Sequence, residues 1–368
     1  MNARFVQPVA TRLALLCALL LSATASAAPP APFVSPAEWM AALGQHVLAP
    51  RYVELSRSAK VLAERIDASC TTPGDATLES ARIAWQQTAL ELRALSALPF
   101  GPALESRVLR RIDFWPTRPA QIESSLRERA AGTLADARIG LTAKGLPALE
   151  YLLFDTGRAR LDTDPAACAY ASWLARDLIA ELDLMQPAWS AWIASVHAAD
   201  AASEARLLAD GVNILIGSVD SLRQKYLEKP ARKPADPSGF DAWRSAAERA
   251  HVLAFFHGLR LGLQGADAVH AMKLDDGAPD AARAADGGLP GLSAILRGHG
   301  LLELATQLDV RIAAAATALQ ALPPRPAADG GAAIAHATEA LAALQGLLAH
   351  EIADRLKVAV GFGENDGD

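Results

Sequence analysis

The side chain best placed by type and spacing to do chemistry is Glu150, in Gly145-Leu146-Pro147-Ala148-Leu149-Glu150. Proline suits the first position of a helix, so Glu150 falls in the first turn, where the backbone dipole favours a carboxylate. There it can serve as a capping charge, or as an acid ligand or hydrogen-bonding anchor facing a crevice. A second group is Arg110-Arg111-Ile112-Asp113-Phe114-Trp115-Pro116, preceded by Phe100-Gly101-Pro102. These aromatic turns between helices either plug the end of a bundle or line a ligand cleft, because loops held by a rigid scaffold carry many binding sites. Arg110, Arg111 and Asp113 add polar groups that can converge beside Trp115.

Other chemical signatures are incomplete. His350-Glu351-Ile352-Ala353-Asp354 has Asp354 where the zinc-peptidase H-E-x-x-H needs its second histidine. Glu248-Arg249-Ala250-His251 has the i, i+3 spacing of a di-iron helix but lacks a second copy and two further glutamates, so it reads as a solvated helix face. His336 and Glu339 sit one turn apart and read as a surface pair. His46, His197, His257, His270 and His299 are scattered and form no metal pattern. A phosphate-cradling glycine loop, a G-x-S-x-G elbow and a Cys-x-x-Cys pair are all missing. The ending Gly361-Phe362-Gly363-Glu364-Asn365-Asp366-Gly367-Asp368 is either a frayed end or a folded-back segment offering oxygen ligands to a hard cation.

The elements that must position these residues are helical. Ser35-Pro36-Ala37-Glu38 is a capping box with proline at the first helical position, opening a helix to about Asp67. Leu78, Ala81, Trp85, Ala89 and Leu92 repeat at three and four, and Pro99 to Pro102 end that helix. Further helices are expected from Gly145, from about Pro165 to Ala199 with a bend at Pro187, and through Leu208, Val212, Leu215, Val219, Leu222 and Tyr226. Three more are expected at about Phe240–Leu263, Leu301–Leu322 and Gly331–Val358. Lys229 to Ser238 holds three prolines and reads as a linker, and the Gly/Asp/Ala stretch from Gly265 to Gly288 as a surface loop. No useful length alternates with period two. Gly145 through Leu153 resembles Gly288 through Leu296, and Ala84-Trp85 resembles Ala242-Trp243, which suggests a duplicated bundle. The fold class is therefore all-α, with residues 28–228 as one half, 229–238 as linker and 239–368 as the other.

Composition agrees. With 368 residues and 51% apolar content the chain can bury a sizeable core, which excludes intrinsic disorder. A net charge of -6 excludes a strongly nucleic-acid-binding surface. Arg4 and Arg12 precede the apolar run Leu13–Leu21, and Ala25-Ser26-Ala27 is a cleavage site, so residues 1–27 read as a secretory signal peptide. Leu16 before Cys17 disfavours a lipoprotein. Cleavage leaves Cys70 and Cys168, which in an oxidising compartment read as one disulfide, the alternative being two buried thiols. Closing so long a loop is worth up to roughly 4–5 kcal/mol in the chain-entropy model. No membrane span is expected after cleavage.

Several stretches together resemble the imelysin-like family, also called the M75 peptidases. They are the Trp85 helix, Phe100-Gly101-Pro102, Arg110 through Pro116, Gly145 through Phe154, Asp241-Ala242-Trp243-Arg244-Ser245 and the Gly361–Asp368 ending. The resemblance spans nearly the whole mature chain in order. It implies two bundle-like halves with a cleft between them, a periplasmic setting, and an association with iron acquisition, since relatives include the C-terminal domain of EfeO-type iron-uptake proteins. It also places Trp85, Gly101, Pro102, Arg111, Asp113 and Trp115 at the cleft, with Gly145, Pro147, Glu150, Trp243 and Arg244. The hallmark of the family is Gly-x-His-x-x-Glu. Here Gly145 and Glu150 match, but Pro147 replaces the histidine and has no lone pair for a metal.

The expected function is thus a non-catalytic periplasmic binding or accessory protein of iron or other metal uptake, contacting a ligand or an envelope partner near Glu150, Trp115 and Arg111. If iron or another divalent metal binds, Glu150 is the candidate ligand. Two alternatives stand beside this. One is a metallopeptidase whose missing imidazole comes from His336 or His257, with Glu150 as ligand or base. The other is a helical scaffold for an envelope partner, without a small ligand.

Overall fold

The computed structural model describes residues 33–233, 236–265 and 288–361. The expectations for the 1–27 leader, for nearly all of the 265–288 loop and for the tail beyond Gly361 lie outside the described residues. Helix α1 (Pro36–Leu43) starts at the expected capping box: Ser35 N donates to Glu38 Oε2 at 2.8 Å, and Glu38 N to Ser35 Oγ at 3.1 Å. It passes through a π turn, Gly44–Leu48, into α2 (Ala49–Thr71). Helix α2 buries Tyr52, Leu55, Ala59, Leu62 and Ile66, whose alternating three- and four-residue spacing is a bundle seam. Helix α3 (Asp75–Ser96) buries the predicted Trp85 face. Short helices α4 (Pro102–Glu105) and α5 (Val108–Ile112) lead to α6 (Pro119–Ala130).

Helix α7 (Gly145–Phe154) is followed by α8 (Pro165–Asp183), capped by Asp164, and α9 (Met185–His197). The expected bend lies at Leu184 rather than Pro187. Proline sits in the first turn of α9, where its missing N–H removes no helical hydrogen bond. Cys70 at the end of α2 is disulfide-bonded to Cys168 near the start of α8, as the cysteine arithmetic predicted.

Helix α10 (Ala201–Asp220) continues through wide turns at Ser221–Glu228 into Lys229–Ala231, so the first residues of the expected linker are helical and Pro230 is buried. Helix α11 (Glu248–Gln264) begins later than Phe240. Residues 240–247 instead form a turn in which Ala242 and Ala246 have φ of 55° and 57°. Helices α12 (Leu292–Gly298), α13 (Leu302–Gln320) and α14 (Gly331–Gly346, continuing to Arg355) complete the chain. The run Gly331–Arg355 is long and apolar enough to cross a membrane by length and composition, and its Ile334, Ala337, Leu341 and Leu344 face is buried in the bundle.

No strand occurs among the described residues, only an isolated bridge between Gly265 and Pro290. The fold is all-α. Helices α2, α3, α7 and α8 pack together, as do α10, α11, α13 and α14, and the two groups meet where α3 lies against α11. Gly258 of α11 makes this contact close: a Cβ there would stand 1.9 Å from the Ala94 carbonyl oxygen. The site lies on this seam.

Candidate functional site

Arg93, on the inward face of α3, is the hub. Burying a guanidinium is costly unless it is paired. Its Nη1 donates to Asp113 Oδ2 at 2.7 Å and Nη2 to Asp113 Oδ1 at 3.1 Å, a bidentate pair. Nη2 also stands 2.8 Å from Asp241 Oδ2, and Nη1 donates to Tyr226 Oη at 2.7 Å. Burial alone would favour loss of the Arg93 proton, but the two carboxylates overcome this and raise its pKa well above the ordinary value. Burial likewise works against an ionised Asp241, yet the charges of Arg93 and His251 win and hold it below the usual carboxylate range.

A carboxylate only accepts, so His251 Nδ1, 2.8 Å from Asp241 Oδ2, carries the proton of that hydrogen bond. The imidazole is buried, stacks on the Trp85 ring at 6.1 Å, and has no hydrogen-bond partner at Nε2. Trp85 in turn donates its indole N–H to the Leu146 carbonyl at 2.9 Å, tying α3 to the start of α7.

Glu150 projects from α7 into the same region and is buried. Its start is fixed by Gly145 at φ 74°, where a Cβ would lie 2.1 Å from the Ile112 carbonyl oxygen. Oε1 of Glu150 receives the Ser245 N–H at 3.0 Å and faces Ser245 Oγ at 2.9 Å. That hydroxyl has one proton and also stands 3.0 Å from the Ala242 carbonyl, so it serves one acceptor at a time. Burial raises the Glu150 pKa, assisted by the Asp241 charge and opposed by the Ser245 donors. The left-handed alanines on either side of Ser245 aim its N–H at Glu150, and such backbone strain persists only where the surroundings enforce it.

Together these groups border a small cavity, with about 10 Å³ open to the centre of a water molecule, room for a single water. Its lining includes Arg93, Asp113, Pro147, Glu150, Asp241 and His251. Among the described residues no group of three or more His, Cys, Asp or Glu side chains is arranged to hold a metal ion. The donor set does not fit a resident transition metal. Asp113 and Asp241 are neutralised by a guanidinium that itself borders the cavity, and Pro147 offers no lone pair.

A profile of the imelysin family (peptidase M75) matches residues 48–354. The chain belongs to this family. Among solved structures it is similar to an imelysin-like protein from Psychrobacter arcticum 273-4, at 18% identity and a TM-score of 0.71, covering 91% of this chain and 100% of that one. It is also similar to a protein from Parabacteroides distasonis ATCC 8503 described as an iron-regulated protein A precursor, at 16% identity and 0.68, covering 85% and 93%. At these identities the likeness is one of fold. No curated protein matches the sequence.

Within this imelysin fold the predicted residues divide into three sets. Trp85, Asp113, Pro147 and Glu150 border the cavity. Trp115 stacks on Tyr226 at 6.0 Å and so touches the Arg93 hub at one remove. Arg111 turns to Glu181 at 2.8 Å, and Gly101 packs against the Trp192 ring with Pro102 at the end of the bundle. Arg244 pairs with Asp155 at 2.7 Å and lies over the Trp243 ring at 4.4 Å, next to Tyr151, whose pKa is pushed up to about 12 by burial and Glu123. His336 is exposed on α14 and His257 lies 3.4 Å from Arg51; neither borders the cavity.

Sequence reasoning missed Arg93, Tyr226 and the inward role of His251. The Glu248–His251 face is buried rather than solvated, because α11 is the helix packed on α3. Burial raises the Glu248 pKa, opposed by Arg325 at 3.7 Å. The available signal was position: Arg93 is one residue beyond Leu92 on a helix whose apolar face was already mapped.

Proposed function

We propose that this imelysin-family protein is an exported, non-catalytic binding or accessory component of iron or other metal uptake at the cell envelope, and that the crevice around Glu150, Asp113 and Trp115 contacts its ligand or partner. One observation carries the reading: every carboxylate bordering the cavity already has a protein partner, Arg93 for Asp113 and Asp241, Ser245 for Glu150. A catalytic metal centre needs those oxygens and an open coordination position. The hallmark histidine is Pro147, which withdraws the imidazole that the family motif supplies at this position. The iron-regulated description of the Parabacteroides relative supports the physiological setting, and its designation as a precursor, with the leader-like residues 1–27 here, supports export to the periplasm.

The competing metallopeptidase reading has one observation in its favour, the His251 Nε2 without a protein partner at the cavity. Comparing iron-limited with iron-replete cells, and assaying the purified protein for proteolysis with and without a chelator, separates the two. The proposal expects accumulation under limitation, slower growth of a deletion strain on scarce iron, and no cleavage. Chelator-sensitive proteolysis, or expression and growth indifferent to iron, overturns it.

A further inference from the structure

A groove of about 320 Å³, sharing no lining residue with the Glu150 cavity, runs between α1 with its π turn and the end of α9. Ala37, Ala41 and Ala42 border it, and Gln45, His46 and His197 line it as well. The two histidines are about 150 residues apart in sequence and come from different helices. Their shared groove is therefore a product of the fold, invisible to any local spacing rule.

Three features of the local structure bear on what the groove can take. His46 sits within the π turn Gly44–Leu48, a widened helical turn of the kind that often marks functional sites. The neighbouring Gly44 lies hard against α9: a Cβ there would be 2.7 Å from the Trp192 ring, so the separation of the two helices is set by packing. His197 is the last residue of α9, where the helix dipole presents its negative end and favours a bound cation. Both imidazoles are exposed, and among the described residues neither forms a hydrogen bond or an ion pair with the protein. Their ring nitrogens are uncommitted. Glu38 adds a carboxylate to the lining, one oxygen of which is engaged in the Ser35 capping box.

We propose that His46 and His197 form an open, two-imidazole site for a borderline transition-metal cation such as Zn²⁺ or Cu²⁺. Imidazole suits these ions, with Cu²⁺ bound more tightly than Zn²⁺ in the usual divalent order. Among the described residues no third His, Cys, Asp or Glu closes the group, so water completes the coordination. A closed structural zinc site uses four protein ligands. Two ligands and an accessible groove suit reversible loading instead. The site is independent of the proposed role of the Glu150 cavity.

Calorimetric titration of the untagged protein with ZnCl₂ and with CuCl₂ tests this, alongside His46→Ala, His197→Ala and the surface controls His336→Ala and His350→Ala. One saturable equivalent is expected. Each groove variant should weaken it by about tenfold or more, since even outer-shell partners of a metal site are worth 10–100-fold, and the controls should leave it unchanged. Absence of saturable binding overturns the proposal, as does binding that survives both groove substitutions or that depends on only one of them. Circular dichroism of each variant checks that the helices persist. None of these failures would touch the iron-uptake reading, whose tests use growth and expression.

Discussion

Two of the places where this chain gathers polar side chains across helices differ in what already holds them. Around Glu150, on the α3–α11 seam, each carboxylate is answered by a protein donor: Asp113 and Asp241 by Arg93, Asp241 also by His251 Nδ1, Glu150 by Ser245. In the groove beside α1, His46 and His197 are exposed and, among the described residues, answered by no hydrogen bond or ion pair. The first arrangement is a buried network, expensive to disturb and with room for one water. The second is inexpensive, open and free to take a ligand. Chemical side-chain type alone therefore says little; whether the donors are already spent decides what a cluster can bind.

The comparison breaks most visibly at Arg93. Arg93→Ala leaves Asp113 and Asp241 buried without their cation, and urea unfolding should register a loss of about 3–5 kcal/mol. A loss below about 1 kcal/mol would mean that the seam does not depend on this pairing. Gly258→Ala forces a methyl onto the Ala94 carbonyl and should cost about 1–3 kcal/mol through displaced helices, read as a lower melting temperature.

Glu150→Gln probes the cost of the buried charge. The folded-state pKa of Glu150 is raised above the ordinary 4.5, so its contribution to stability is full below that pH and is lost as pH rises through the folded value. The variant should therefore gain on the wild type as pH rises above about 4.5. Asp241 has the opposite sign: its lowered pKa contributes stability above the ordinary 3.8 that is lost on acidification, in both proteins alike. A stability difference flat from pH 4 to 8 would contradict the burial of the Glu150 charge. Ala242→Gly relieves a left-handed alanine and should stabilise by up to about 1 kcal/mol. At the far end of the scale, His46→Ala in the groove should change stability by no more than about 0.5 kcal/mol, the mark of an uncommitted surface residue.

Much of the scaffold was legible from periodicity and punctuation. The Ser35 capping box, the Trp85 face, the Pro165 start of α8 and the Cys70–Cys168 bridge are all local or compositional signals, and the structure bears them out. The Phe240–Ala247 turn falls inside the expected Phe240–Leu263 helix, because left-handed alanines leave no trace in a sequence. Glu150 and Asp113 were legible as candidates from residue type and position, and Pro147 as the altered motif position through the family resemblance. Arg93 was not, since a charged residue on a helix is ordinarily solvated and only the later arrival of Asp113 and Asp241 explains its burial. His251 carries only an incomplete di-iron spacing, and His46 with His197 had no common signal before the fold joined them.

Diffraction from crystals soaked in ZnCl₂, recorded at the zinc absorption edge, compares the two regions within one map. The expected result is an anomalous peak between His46 and His197 and none in the Glu150 cavity. A peak at coordination distance from Glu150 and His251, about 2.0–2.2 Å, would contradict the claim that the carboxylates on the seam are already committed to protein partners.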